Sequence, residues 1–135
     1  MTGTGTDPGR WNVLDGVVGV SGALAVGSAL LAIGHLGVQL PVISRFGPAG
    51  ARAVVPAAIA FGVAACLHGT VAVGVTRRRS WAWPLGVLVA GITLIGAATP
   101  FRGAASAVGI VLATTQLDLL LTRPARRTIL NSAGS

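Results

Sequence analysis

The middle of the chain reads Thr76-Arg77-Arg78-Arg79-Ser80-Trp81-Ala82-Trp83-Pro84, and long apolar runs lie on both sides of it. Three consecutive arginines are too costly to place in hydrocarbon, whereas tryptophan favours the level of the lipid headgroups. Pro84 suits the first turn of an outgoing helix, because the N–H that it lacks would have no intrahelical partner there. The stretch therefore predicts a helical hairpin whose tip, marked by Trp81 and Trp83, lies at a membrane surface.

The composition is that of an integral membrane protein rather than a soluble domain. Of the 135 residues, 53% are hydrophobic and 10% are charged, and the mean hydropathy is +0.79. Soluble domains carry about 25% charged residues. The net charge of +7 comes from ten Arg and three Asp, with no Lys or Glu. Because these arginines lie between apolar runs, we expect their partner to be a lipid bilayer that includes anionic lipids, and not nucleic acid.

Four apolar runs are candidates to cross the bilayer, at about 13–38, 53–75, 83–98 and 104–121. A hydrocarbon core of about 30 Å needs about 20 helical residues, so the two shorter runs require an upright orientation or slight local thinning. Pro and Gly residues punctuate the connections. We expect the first run to be an uncleaved helix, because it exceeds the apolar stretch of about 7 to 15 residues found in a signal peptide.

These runs predict an all-α fold: a polytopic membrane protein with four transmembrane helices in an up-down-up-down bundle. Short connections force neighbouring helices to be antiparallel. The transmembrane domain extends over residues 11–123. Residues 1–10 are small and polar and predict a disordered tail, and residues 124–135 are interpreted as a basic C-terminal tail.

The distribution of arginine predicts the orientation. The side with both tails and the middle hairpin has seven, which are Arg10, Arg77, Arg78, Arg79, Arg123, Arg126 and Arg127, and the other side has three, which are Arg45, Arg52 and Arg102. The positive-inside rule then predicts a multi-pass protein of the cell membrane with both termini in the cytoplasm.

Small residues recur in the runs at spacings of three or four. They are Gly16, Gly19 and Gly22, then Gly86 and Ala90, then Ala105, Gly109 and Ala113. Such spacing lets helix backbones approach closely in lipid, where hydrophobic exclusion does not drive association. We expect a tightly packed bundle, although a biased composition explains any single pair equally well.

Ionisable residues inside the runs are candidates for function, because they are costly to place in lipid. Asp15, His68 and Asp118 lie toward the predicted cytoplasmic half, together with Thr115 and Gln116. If the first, second and fourth helices face one another, a carboxylate–imidazole pair would carry protons or bind a cationic solute. This arrangement predicts a small proton-coupled transporter or channel.

A structural interpretation of the same residues competes with transport, and we favour it. Asp15 suits the positive N-terminal end of its helix, and Asp118 is placed to pair with Arg123 or the hairpin arginines. His68, the deepest titratable group, then serves as a neutral imidazole bonded to a neighbouring carbonyl or hydroxyl.

The sequence indicates no metal, haem or catalytic site. His35 and His68 differ in height by about 15 Å at 1.5 Å per residue, so they cannot share one haem iron within a monomer. Cys66 and His68 are two residues apart and point to different helix faces. No nucleophile occurs with a base and an orienting acid at one depth. We therefore expect no cofactor and no enzymatic activity.

Two segments carry a resemblance to known proteins. Residues 78–86 read Arg-Arg-Ser-Trp-Ala-Trp-Pro-Leu-Gly, and residues 118–127 read Asp-Leu-Leu-Leu-Thr-Arg-Pro-Ala-Arg-Arg. Their order resembles small four-helix prokaryotic membrane proteins of unknown function, in which a basic-Trp-Ala hairpin and a Leu-Leu-x-x-Pro-x-x-Arg exit recur. The resemblance covers about the last sixty residues and implies no activity. Small multidrug exporters also have four helices, but they rely on a Glu in the first helix, which this chain lacks.

Taken together, these features predict a structural or accessory component of the membrane without enzymatic activity. Its expected protein partners are copies of itself or the other members of a larger membrane complex. The alternative is the proton-coupled transporter or channel that uses Asp15, His68 and Asp118.

Overall fold

The computed structural model describes residues 12–38, 53–99, 101 and 103–131. This part of the chain is all-α, as predicted, with five helices: α1 Val13–His35, α2 Val55–Thr76, α3 Ala82–Ala98, α4 Ala104–Leu121 and α5 Arg123–Asn131. The N-terminal tail predicted at 1–10 and the whole of the first predicted loop, 39–52, lie outside the described residues, as does Arg102.

Three of the helices are long and apolar enough to cross a membrane. They are α1, α2 and α4, with 23, 22 and 18 residues. Helix α3 is also apolar but has 17 residues, a rise of about 26 Å against a hydrocarbon core of about 30 Å. The bounds of these four helices differ from the predicted runs by at most three residues, at the end of α1.

The connection between α2 and α3 is a tight turn built around Arg78. Its φ of +50° lies in the left-handed region. The N–H of Arg79 donates to the carbonyl of Gly74 and the N–H of Arg78 donates to that of Val75, both at 2.9 Å. This pair of bonds is the Schellman motif, which satisfies carbonyls left free at a helix end. Glycine is the usual residue at such a position, so Arg78 adopts it at a conformational cost.

Among the four apolar helices, α1 packs mainly against α2 and α4, and α3 packs mainly against α4 and α2. The end of α1 meets the start of α2, where the Val54 N–H donates to the His35 carbonyl at 2.8 Å. The start of α1 meets the end of α4, because a Cβ placed on Gly16 would lie 3.3 Å from Leu119 Cδ1. In the other half of α4, a Cβ placed on Gly109 would lie 3.3 Å from Ala97 Cβ of α3.

Small residues produce the closest contacts, but only some of the predicted ones do so. A Cβ on Gly86 would lie 2.8 Å from Leu120 Cδ1, whereas Gly19 and Gly22 have no neighbour within 4 Å. The tightest site is Gly74, which the spacing pattern did not single out. A Cβ there would lie 2.7 Å from the Trp81 ring.

The hydrophobic core lies at the end of the helices that carries the Arg-rich turn. Its buried members are Leu14, Val17, Val71, Val75, Ala82, Leu120, Ala125 and Ile129. The last two belong to α5, which contacts α1, α3 and α4 and so covers this end. The sequence analysis assigned residues 124–135 to a tail and did not predict this helix.

The outer faces of the helices are apolar. Large side chains on each of α1 to α4 are well exposed, including Val26 at 61%, Ile59 at 61%, Ile95 at 68% and Val111 at 63%. Several polar side chains, in contrast, are buried between the helices. Such extensive exposure of large apolar side chains is unusual for a water-soluble protein and suits contact with lipid.

Candidate functional site

His68 is fully buried on the face of α2 that meets α3. Its Nε2 lies 3.0 Å from Thr93 Oγ1 of α3. Its Nδ1 is buried and has no hydrogen-bond partner in the described part of the chain. The imidazole therefore forms one hydrogen bond across helices, to a hydroxyl, which is the kind of contact that the structural interpretation expects.

Gln116 occupies a similar environment on α4. Its side chain is fully buried, and Nε2 donates to Ser21 Oγ of α1 at 3.0 Å. Its Oε1 has no partner among the described residues. Gln116, like His68, thus combines one hydrogen bond across helices with one unpaired polar atom.

The two buried bonds lie at similar heights. Gly86 lies against both Val71 and Leu120, so these residues mark a common level. His68 precedes Val71 by three residues and Gln116 precedes Leu120 by four, which places them about 4.5 and 6 Å from that level, on the side away from the Arg-rich turn. We call Ser21, His68, Thr93 and Gln116 the polar layer.

The polar layer joins two pairs of helices. Ser21 of α1 bonds to Gln116 of α4, and His68 of α2 bonds to Thr93 of α3. Both bonds therefore connect the α1–α2 pair to the α3–α4 pair. Within a membrane, a hydrogen bond between helices stabilises their association by about 0.6 to 2 kcal/mol. These two hydrogen bonds can therefore fix how the four helices are rotated relative to one another.

The two acidic candidates lie elsewhere. Asp15, in the first turn of α1, and Asp118 of α4 are both exposed, whereas His68 is buried. The structure therefore does not bring the two carboxylates together with the imidazole. Neither carboxylate forms an ion pair within the described ranges, so the pairing of Asp118 with Arg123 that the structural interpretation expected is absent from them.

Thr115 and His35 also lie outside the polar layer. Thr115 is exposed, and its hydroxyl donates to the Val111 carbonyl of its own helix at 2.7 Å. Near the far end of α1, His35 Nδ1 lies 2.7 Å from the Leu31 carbonyl. The His35 ring is 5.1 Å from that of Phe61. These side chains stabilise local structure and take no part in the polar layer.

The second notable region is the Arg-rich end. Trp83 Nε1 donates to the Leu120 carbonyl at 2.9 Å, which satisfies a carbonyl in the last turn of α4. The guanidinium carbon of Arg126 lies 5.4 Å from the centre of the Trp83 ring, a cation–π contact. Trp81 is exposed, as are Arg77, Arg78 and Arg79 of the turn. On α5, an open cleft of about 340 Å³ is lined by Arg123, Arg126, Arg127 and Leu130.

The described residues contain no group of three or more His, Cys, Asp or Glu side chains placed to hold a metal ion. A shallow groove of about 500 Å³ lies on the outer side of α2, lined by Cys66, Gly69, Thr70, Val73 and Trp81. Cys66 is exposed in this groove as a free thiol. The groove is open and mostly apolar. The hydroxyl of Thr70 already donates to the Cys66 carbonyl of the same helix.

Sequence reasoning missed four residues that the structure makes important. Ser21 and Thr93 belong to the polar layer, but nothing local distinguishes them from other small hydroxyl residues in the spans. Ala125 and Ile129 anchor α5 in the core. Their spacing of four, on a segment that also carries three Arg, was a signal for an amphipathic helix that could have been recognised.

Comparison with known proteins adds no relative: no family model matches the chain, and no curated protein or solved structure is significantly similar to it.

Proposed function

We propose that this chain is a multi-pass protein of the cell membrane, with its four apolar helices in an up-down-up-down bundle, that acts as a structural or accessory component without enzymatic activity. Three helices of spanning length and the exposed apolar side chains on α1 to α4 support membrane insertion. Helix α1 contacts the start of α2 at its own C-terminal end and the end of α4 at its own N-terminal end. These contacts support antiparallel neighbouring helices, as in an up-down-up-down bundle. Helix α3 crosses with slight local thinning of the bilayer.

Both termini lie in the cytoplasm in this proposal. The division of arginines predicted from the sequence, seven to three in favour of the side with the Arg-rich turn, supports that orientation. Helix α5 strengthens the argument, because three of the seven arginines lie on a helix packed against the same end as the turn. Fusion of the C-terminus to an enzyme that is active only outside the cytoplasm tests the orientation. An active fusion would overturn it.

The observation that carries the accessory role is the arrangement of the polar layer. Its two hydrogen bonds each join one helix to another, and in the described part of the chain they do not connect into a path of groups between the two membrane surfaces. The carboxylates that a proton path would use are on the outer faces. A protein built in this way acts through its surfaces, in contact with the lipid bilayer and with copies of itself or other membrane proteins.

A proton-coupled transporter or channel remains the second candidate, because one observation favours it. His68 Nδ1 and Gln116 Oε1 are buried polar atoms without partners in the described ranges. Unsatisfied buried groups are costly, and functional sites are one place where they occur. Asp15 and Asp118, which the sequence analysis placed with His68, are exposed, so this candidate depends on the polar layer alone.

Reconstitution into liposomes separates the two candidates. Lumenal pH is followed under an imposed gradient for the wild type, His68→Asn, Asp118→Asn and empty liposomes. We expect all four traces to coincide. Wild-type flux above that of empty liposomes, lost in either variant, would replace the accessory role with transport. If the traces coincide, purification from the native membrane in mild detergent would identify the proteins that bind this accessory component.

A further inference from the structure

Helix α5 has two faces of opposite character. Ala125 and Ile129 are almost completely buried in the core. Arg123, Arg126 and Arg127 are exposed, and their spacing of three and four places them with Leu130 within an arc of about 100°. The buried face therefore leaves the three arginines on the exposed side of α5.

The three guanidinium groups lack an anionic partner within the described ranges. Like charges at these spacings destabilise a helix, and cations are also unfavourable near a helix N-terminus, where Arg123 begins α5. The described part of the chain offers little compensation, because Asp15 and Asp118 form no ion pair in it. An external anion is what this cluster requires electrostatically.

The surroundings of the cluster favour one class of anion. The three arginines and Leu130 line one open cleft of about 340 Å³, so polar donors and an apolar side chain border the same space. Arg126 stacks on Trp83, a residue type that prefers the headgroup level of a bilayer. Arginine binds phosphate oxygens through two parallel N–H donors, which a phospholipid headgroup accepts.

We propose that the α5 cleft is a specific binding site for the phosphate of an anionic phospholipid, with Arg123, Arg126 and Arg127 as donors and Leu130 against the acyl region. This rests on the proposed membrane location. It goes beyond a general attraction between basic loops and anionic lipid, because it assigns binding to one cleft. The lipid holds α5 at the membrane surface and neutralises the charge that its arginines concentrate there.

The test compares two sets of substitutions that remove the same charge. One variant carries Arg123→Gln, Arg126→Gln and Arg127→Gln, and the matched control carries Arg77→Gln, Arg78→Gln and Arg79→Gln in the exposed turn. Each purified protein, in neutral detergent micelles, is titrated with phosphatidylglycerol or with phosphatidylcholine. Bound lipids are counted by native mass spectrometry. Circular dichroism and thermal unfolding establish that each variant is folded, and Arg123→Lys, Arg126→Lys and Arg127→Lys provide a variant that keeps the charge.

We expect one phosphatidylglycerol to bind the wild type with preference over phosphatidylcholine. The α5 glutamine variant should lose about tenfold or more in affinity, since charge-assisted hydrogen bonds to phosphate are lost. The turn variant should lose less than about threefold, because its charges act only through screened, longer-range attraction. The lysine variant should have an affinity between those of the α5 glutamine variant and the wild type, because lysine keeps the charge but cannot donate two parallel hydrogen bonds to a phosphate.

Two outcomes would overturn the proposal. Equal losses in the α5 and turn variants would show that total charge, not the cleft, attracts the lipid. Displacement of phosphatidylglycerol by an equal concentration of inorganic phosphate would assign the cleft to a free anion. The proposed membrane location is measured separately, by resistance of the protein in native membranes to alkaline extraction, so its failure is distinguishable from failure of the site.

Discussion

The contact between Gly74 and the start of α3 allows a prediction with a matched control. At Gly74, a Cβ would lie 2.7 Å and 2.9 Å from two atoms of the Trp81 ring and 2.8 Å from Ala82 Cβ. Trp81 is exposed and can turn aside, but Ala82 is fully buried and its Cβ moves only with the backbone of α3. Gly74→Ala must therefore push α2 and α3 apart beside the turn.

The magnitude follows from a comparison with Gly69→Ala on the same helix. A Cβ at Gly69 has no neighbour within 4 Å. Both substitutions gain about 1 kcal/mol of helix propensity, so this gain cancels between them. The remaining difference is the cost of overpacking at Gly74, about 1 to 3 kcal/mol. We expect Gly74→Ala to be less stable than Gly69→Ala by that amount.

The assay is unfolding in mild detergent by titration with sodium dodecyl sulfate, followed by far-ultraviolet circular dichroism. Wild type, Gly69→Ala and Gly74→Ala are measured in the same micelles. Gly69→Ala should match or exceed the wild type. If Gly74→Ala proved as stable as Gly69→Ala, close packing of α2 on α3 at this glycine would be refuted.

Three further predictions concern the ends of the helices. Neutral replacement of residues 77–79 together leaves a balance of four arginines to three, so reporter fusions should reveal mixed orientation; a uniform orientation would show that the tails dominate. Asp118→Asn should change the free energy of unfolding by less than about 1 kcal/mol, because the side chain is exposed and lacks an ion pair among the described residues; a larger loss in the same detergent titration would indicate a buried role. Ile129→Ala should destabilise by about 2 to 5 kcal/mol because Ile129 is fully buried in the core, whereas Leu130→Ala, at an exposed neighbouring position, should cost far less. Equal stability of those two variants would show that α5 is not anchored.

The sequence indicated the helical segments because their signals are local. Arg77 to Arg79 and the adjacent tryptophans interrupt the apolar pattern, and proline and glycine do the same elsewhere, so the positions where helices begin and end could be read along the chain. The bounds of α1 to α4 could therefore be predicted to within a few residues. The left-handed conformation of Arg78 could not, because the residue itself favours a right-handed backbone.

The segment after α4 shows how an averaged property can mislead. Residues 123–131 contain three arginines, so their mean hydropathy resembles that of a solvated tail. The fold depends instead on which positions are apolar. Ala125 and Ile129 lie on one side of the helix and fill the end of the core, and this burial is what holds α5 in place.

By itself, the sequence determined that the chain is helical, that long parts of it suit a membrane, and where its charges lie, since these follow from hydropathy and from residues close together along the chain. Only the tertiary structure decided which face of each helix turns inward. Helices that are apolar all round give no preferred face, so their periodicity does not say whether His68 or Asp118 points into the interior. The interior contacts join residues that are far apart along the chain. The bond from Gln116 to Ser21 spans 95 positions, and other contacts link His68 to Thr93 and Gly86 to Leu120. These long-range contacts fix the helix rotations, burying the imidazole and leaving the carboxylate outside.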